Sequence, residues 1–121
     1  MTILYQFLNR DEDIYLTRTA AEIFEHYGPE HQAYKLEEEC AELLAAAARC
    51  NADINPDAEH AEHYLEELAD VILVLEQIIG SMPAKVGRRL AEIVMTKADR
   101  QLRRMSQEQE REAARDIGHG C

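Results

Sequence analysis

The chain has little of what a secreted, membrane-spanning or strand-rich protein requires. Its three cysteines form no CxxC pair, so they suggest neither a disulfide framework nor a zinc site. Five glycines and three prolines are few for a fold of many short strands and turns. The longest strongly apolar run, Val71 to Leu75, falls far short of the roughly 20 residues of a membrane span. Because the N-terminus also has no basic flank before an apolar region, we expect a cytoplasmic protein with reduced thiols and no membrane partner.

Charge of positive sign is also scarce. Against 24 acidic residues the 121-residue chain has 13 lysines and arginines, for a formal net charge of -11. Non-specific electrostatic binding to a nucleic acid polymer is therefore disfavoured. We expect partners that are neutral, cationic, or anions held through a metal ion. Hydrophobic residues make up 46% of the chain, which is enough for one compact core. We expect a single domain over residues 1–121.

The apolar periodicity predicts an all-α fold with four main helices. The first helix runs from about Tyr15 to Tyr27, and the second from Pro29 to about Cys50. The third is capped by Asp57 after a polar turn over 51–56 and stops at Gly80, and the fourth opens at Ser81 or Pro83. Residues 1–14 are expected to be a poorly defined arm, with a polar link over 11–13. Residues 106–121 should form a solvated helix end that frays.

Two pairs of carboxylates are spaced three residues apart on the second and third helices. Glu39 and Glu42 form one pair, and Glu67 and Asp70 form the other. If the two helices face each other, four oxygen ligands can converge on a hard divalent cation such as Mg²⁺ or Mn²⁺. A solvated acidic helix face is the ordinary explanation of any one such pair. Both pairs, however, border strongly apolar stripes, and a metal ion would offset the repulsion between their charges.

The remaining side chains of these helices are placed by the same periodicity. The apolar face of the second helix is predicted to centre on Leu36, Cys40, Leu43 and Ala47, with Cys40 as a small core residue. On the fourth helix, cations continue the predicted core-facing stripe of Val86, Leu90 and Ile93. These cations are Lys97, Arg100 and Arg104. If the fourth helix extends beyond the hydrophobic core, these cations face solvent. Beside a metal site they would instead be suitable phosphate ligands.

The acidic pattern resembles the signature of MazG-like nucleoside triphosphate pyrophosphohydrolases. That signature reads KxxEExxEL followed by ExxDV. The matching residues are Lys35, then Glu38-Glu39-Cys40-Ala41-Glu42-Leu43, then Glu66-Glu67-Leu68-Ala69-Asp70-Val71. The resemblance covers the second and third helices in the same order, whereas the first 28 residues and the tail carry no signature.

The resemblance implies an all-α MazG-like bundle of four helices that assembles as a dimer or tetramer. It further implies Mg²⁺-dependent hydrolysis of a nucleotide between its α- and β-phosphates, giving a nucleoside monophosphate and pyrophosphate. Glu39, Glu42, Glu67 and Asp70 match metal ligands, and Glu38 matches a residue that ligates metal or activates water. Lys97 and Arg100 are similar to basic residues on the following helix of that family, and we expect them to bind substrate together with Lys35 and Arg104.

Two other classes of function are weighed against this one. A ferritin-like diiron or dimanganese protein needs a Glu-x-x-His motif on each of two helices, and no glutamate here is followed by histidine at that spacing. A non-catalytic helical module that binds nucleotide or metal is the stronger alternative, because the sequence alone does not separate binding from turnover. The preferred base and sugar are likewise left open.

Overall fold

The computed structural model describes residues 1–51, 55 and 58–119 of the chain. Within these residues there is no strand, and four α-helices follow a short 3₁₀ helix at Tyr5–Phe7. They are α1 (Arg10–Tyr27), α2 (Pro29–Cys50), α3 (Ala61–Gly80) and α4 (Ala84–His119). The all-α prediction is thus confirmed for the described chain. Among these helices, no stretch has the length and apolar character that crossing a bilayer demands.

Helix α1 begins at Arg10, earlier than the sequence predicts. The Asn9 side chain accepts a hydrogen bond from the Glu12 backbone N–H (2.8 Å), and the Glu12 side chain accepts one from the Asn9 backbone N–H (3.0 Å). This capping box satisfies two donors at the helix start. The predicted polar link over 11–13 is therefore wrong, because those acids form the first helical turn, where the positive end of the helix dipole favours them.

The N-terminal arm is attached to α1 through Thr2. This buried residue donates its backbone N–H (2.9 Å) and its hydroxyl (2.6 Å) to Asp13 Oδ1. The two hydrogen bonds hold the pKa of Asp13 below its ordinary value. The arm over residues 1–14, predicted to be poorly defined, is thus replaced by a 3₁₀ turn, a buried threonine and the first turns of α1.

Glycine and proline set the start of α2 and the end of α3 as predicted, whereas α3 begins only at Ala61, after His60. Gly28 closes α1 with φ 85°, a conformation that favours glycine, and Pro29 occupies the first turn of α2. Helix α3 ends at Gly80. The predicted cap at Asp57, most of the predicted turn over 51–56, and Cys121 lie outside the described residues.

Helix α3 is the centre of the first compact unit, residues 1–82, and packs against both α1 and α2. Helices α2 and α3 run antiparallel, since residues early in α2 meet residues late in α3. The buried positions of α2 are Gln32, Glu39, Ala46 and Cys50. Cys40 is exposed, so its prediction as a core residue is wrong. At 100° per residue, the centre of the buried face of α2 is rotated by about 65° from the centre of the predicted face.

The chain from Pro83 onward, which contains α4, forms a second compact unit. Every side chain from 91 to 118 is exposed. The predicted core-facing stripe of α4 is therefore wrong in this chain: Val86 is 49% exposed and Ile93 is 37% exposed. The helix continues to His119, through a segment rich in glutamine, glutamate and arginine, which are good helix formers. The described part of the tail is thus helical and exposed, and its predicted fraying stays a prediction.

Candidate metal centre

The two predicted carboxylate pairs converge between α2 and α3. Glu39 and Glu42 come from α2, and Glu67 and Asp70 come from α3. One oxygen of each of these four side chains lies within 4.8 Å of the others. Residues three apart share one face of a helix, so antiparallel packing of the two helices brings the pairs together. We call these four residues the acidic cluster.

Two oxygens of the acidic cluster are buried without a hydrogen-bond partner in the described chain. They are Oε2 of Glu39 and Oε2 of Glu67. The Glu39 side chain is only 7% exposed and that of Glu67 only 14%. A charged oxygen taken out of water without a partner is destabilising, and such groups normally pair or coordinate a metal. These two oxygens are therefore positions at which a bound cation would be stabilising.

The electrostatics of the cluster lead to the same conclusion. The charge of Glu39 is the main cause that raises the pKa of Glu42, with burial and Glu67 adding to it. Partial desolvation of the carboxylate is the main cause that raises the pKa of Asp70, although the residue as a whole is exposed, and the charges of Glu39 and Glu67 follow. The fold thus holds carboxylates together against their mutual repulsion. A bound cation would reverse this effect by favouring their charged forms.

Lys35 and Glu38 lie beside the cluster. Lys35 Nζ is 2.9 Å from Glu39 Oε1 and 3.6 Å from Glu38 Oε2. The hydrogen bond with Glu39 is the largest of the contacts that raise the pKa of Lys35. Glu38 is exposed, so its carboxylate is available to solvent and to a bound molecule. The structure therefore brings both predicted residues to the cluster without testing their predicted roles.

A histidine contacts the α3 side of the cluster. His63 Nε2 lies 3.6 Å from Glu67 Oε1, and its Nδ1 lies 3.8 Å from Glu66 Oε2. Both acids follow it within one helical turn, so the contacts depend only on local helix geometry. His63 thereby partners Glu67 Oε1, whereas Oε2 of the same carboxylate has no partner in the described residues.

The predicted phosphate-binding cations belong to the second unit. Lys97, Arg100 and Arg104 are exposed on α4. Their side chains are therefore available to a ligand, but their contact with a phosphate at the acidic cluster stays a prediction.

A cleft of about 390 Å³ adjoins the cluster within the first unit. Its volume falls in the range of small-molecule sites, about 300 to 1,000 Å³. Charged residues of the cluster region line one part of it, and the rest is lined by Tyr27, His31, Gln32 and Gln77 together with apolar side chains of α1 and α3. Sequence reasoning missed these four residues as site residues. The signal was present in part, since Gln32 precedes Glu39 by seven residues and therefore shares its helix face.

The donor set of the cluster suits a hard divalent cation. Four carboxylates offer only oxygen ligands, which Mg²⁺, Mn²⁺ and Ca²⁺ prefer over nitrogen or sulfur donors. The open side of the cluster, where Glu42 and Asp70 are exposed, leaves room for water or a ligand oxygen on such an ion. The acidic cluster can therefore hold a metal ion, whose identity the geometry leaves open. Comparisons of the chain with protein-family models, with curated proteins and with solved structures find no match.

Proposed function

We propose that the protein is a Mg²⁺-dependent nucleotide pyrophosphohydrolase, which cleaves a nucleoside triphosphate between its α- and β-phosphates. The observation that carries the proposal is the acidic cluster with its two buried, unpartnered oxygens, on Glu39 and Glu67. A cleft large enough for a nucleotide opens beside it. The resemblance of the two motifs to MazG-like enzymes supports the same chemistry. The products would be a nucleoside monophosphate and pyrophosphate.

In this proposal the acidic cluster holds the metal through Glu39, Glu42, Glu67 and Asp70. When bound, Mg²⁺ neutralises phosphate charge and lowers the pKa of the attacking water, which a protein of net charge -11 needs if it is to act on a polyanion. Glu38 would accept the proton that the attacking water loses. The water oxygen would then bond to the α-phosphorus, while the bond from that phosphorus to the oxygen between the α- and β-phosphates breaks. Pyrophosphate leaves with the electron pair of that bond.

Cationic side chains complete the proposed site. Lys35 lies next to Glu38 and Glu39 and is placed to bind a phosphate oxygen once a metal ion neutralises the cluster. Lys97, Arg100 and Arg104 would stabilise the charge that accumulates on pyrophosphate. We also propose that the protein works in the cytoplasm as a dimer or tetramer, in which a second copy covers exposed apolar side chains.

The test is pyrophosphate release from a panel of ribo- and deoxyribonucleoside triphosphates with Mg²⁺. We expect release that stops with EDTA and falls by orders of magnitude in Asp70→Asn. Asp116→Asn, an exposed aspartate at the end of α4, is the matched control and should keep the wild-type rate. Nucleotide binding without any release would instead identify a non-catalytic module and would overturn the enzymatic proposal.

A further inference from the structure

A buried pair of amides lines the cleft near the acidic cluster. Gln32 on α2 and Gln77 on α3 are each only 3% exposed, and Gln32 Nε2 donates to Gln77 Oε1 at 2.6 Å. Each glutamine lies seven residues from a member of the cluster, Gln32 from Glu39 and Gln77 from Asp70. Two helical turns separate the two positions of each pair. Each amide therefore lies about 10 Å along its helix from the acidic cluster, on the same helix face. This separation is comparable with the length of a nucleoside from its 5′ phosphate to the far edge of its base.

The direction of hydrogen bonding through the two amides is fixed. Gln77 Nε2 lies 3.2 Å from the backbone carbonyl of Leu73, which can only accept, so this atom must be the amide nitrogen. Gln77 Oε1 therefore faces Gln32, whose nitrogen must donate to it. Gln32 Oε1 in turn lies 2.7 Å from Nδ1 of His31, which donates as an N–H. Both amide oxygens thus already accept a hydrogen bond.

The two amides each keep one N–H group and one oxygen lone pair for a ligand. The N–H groups are the greater need, because a carbonyl oxygen tolerates a single hydrogen bond better than a buried amide tolerates an unused N–H. A primary amide has two N–H groups, and each glutamine uses one of them in this chain of hydrogen bonds. Within the described residues, the second N–H of Gln32 and of Gln77 has no partner. A ligand that reaches this wall of the cleft therefore meets N–H donors.

An aromatic pair lines the same part of the cleft. The rings of Tyr27 and His31 stack with centroids 4.7 Å apart and planes 18° from parallel. Both residues belong to the cleft lining, together with the amide pair. Aromatic side chains give flat heterocycles a face on which to stack, and any base can use that face. The cleft thus combines an aromatic surface on which any base can stack with N–H donors that pair only with bases carrying an acceptor.

We propose that the amide pair binds the distal edge of a nucleobase and selects bases that carry a carbonyl oxygen at position 4 of a pyrimidine or position 6 of a purine. This inference rests on the proposed function, which places the phosphates at the acidic cluster and so turns the base towards Gln32 and Gln77. Uracil, thymine, hypoxanthine and guanine present an acceptor there. Cytosine and adenine present an amino group there, which cannot accept from the two amide N–H groups and leaves them unpaired.

The test compares nucleotides that differ only at this position. The probes are α,β-imido analogues of deoxyuridine and deoxycytidine triphosphate, and of deoxyinosine and deoxyadenosine triphosphate, whose binding is measured with Mg²⁺ by calorimetry. We expect the carbonyl member of each pair to bind at least about tenfold more tightly. In Gln77→Met this ratio should fall towards one, while the affinity for Mn²⁺ alone stays at the wild-type value. Gln107→Met, an exposed glutamine on α4, is the matched control and should keep the ratio.

Each outcome separates the inference from the proposed function. A wild-type ratio near or below one in both pairs overturns the inference, whether or not Gln77→Met folds. Release of pyrophosphate from all bases at equal rates would leave the proposed function standing and would equally overturn the inference. A clear preference for the carbonyl analogues without hydrolysis of the parent nucleotides would support the inference and overturn the proposed function. An unchanged ratio in a folded Gln77→Met protein would refute the role of the amide pair.

Discussion

Replacing Glu67 by glutamine removes one charge from the acidic cluster with little change of shape. The carboxylates of Glu39 and Glu67 are both largely buried, with oxygens no more than 4.8 Å apart. Two unit charges at that separation repel by about 3 kcal/mol at an effective dielectric constant of about 20. Part of this relief is lost, because the Lys35 ammonium already attracts the carboxylates, most directly that of Glu39. We therefore expect the metal-free variant to be more stable than the wild type, by about 1 to 2 kcal/mol.

Metal binding should reverse this order. An ion at 100 times its dissociation constant stabilises a protein by about 2.7 kcal/mol, provided that only the folded state binds it. The wild type should gain this increment with Mg²⁺, whereas Glu67→Gln, which lacks one negative ligand, should lose most of it. The variant is thus expected to melt above the wild type in EDTA and below it at saturating Mg²⁺. Loss of packing or of a surface ion pair does not produce such a crossover.

The measurement is thermal unfolding followed by circular dichroism, with and without Mg²⁺. In EDTA the melting temperature of the variant should rise by about 5 °C, since each kcal/mol shifts a domain of about 60 to 100 residues by about 4 to 8 °C and one of about 150 to 250 residues by about 2 to 4 °C. Glu37→Gln, at an exposed position of α2 outside the cluster, should behave as the wild type in both conditions. Equal Mg²⁺-dependent stabilisation of Glu67→Gln and Glu37→Gln would refute the metal centre and the catalytic proposal with it.

Four further results are expected. The raised pKa values of Glu42 and Asp70 mean that the native state binds protons more tightly than the unfolded chain, so these groups destabilise the metal-free protein above those pKa values. As the pH falls through them, metal-free melting temperatures should rise and Mn²⁺ titrations should show weaker binding, because protons compete with the ion. Lys35→Met removes the ammonium next to Glu39; we expect a lower metal-free melting temperature but tighter Mn²⁺ binding, with no change in the exposed-site control Lys85→Met. Asn9→Ala removes the cap of α1 and should lower the free energy of unfolding by about 1 kcal/mol in urea titrations, whereas Asn9→Asp should not. Light scattering at micromolar concentration should give the mass of a dimer or tetramer, and a strictly monomeric mass would contradict the predicted assembly.

The meeting of the carboxylate pairs could be predicted from the sequence because local rules determine it. A glycine and a proline place the start of α2, a glycine ends α3, and a spacing of three residues places both acids of a pair on one face. Antiparallel packing of adjacent helices then brings the two faces together. This last step requires both pairs to lie near the buried faces of their helices, which the apolar stripes beside them indicate.

The buried face of α2 could not be predicted in the same way. Hydropathy favours burying Cys40 and exposing Glu39, whereas the structure does the reverse. Gln32 and Ala46 lie seven residues before and after Glu39 and share its helix face. Of these three residues only Ala46 is apolar. A face buried for its polar contacts, with Gln32 on Gln77 and Glu39 beside Lys35, carries no hydrophobic signal. The amide pair was missed for that physical reason.

The positions of the unpartnered oxygens limit what can complete the cluster. Lys35 already contacts Glu39 through Oε1, and His63 already contacts Glu67 through Oε1. The remaining oxygens, Oε2 of each residue, are buried and belong to different helices. A species that stabilises both at once must accept several oxygen ligands and carry enough positive charge to offset both carboxylates, which describes a multivalent metal ion better than a second ammonium group. Such an ion would link α2 to α3 two helical turns from the Gln32–Gln77 contact, so metal binding should also stiffen the wall of the cleft that the amide pair lines.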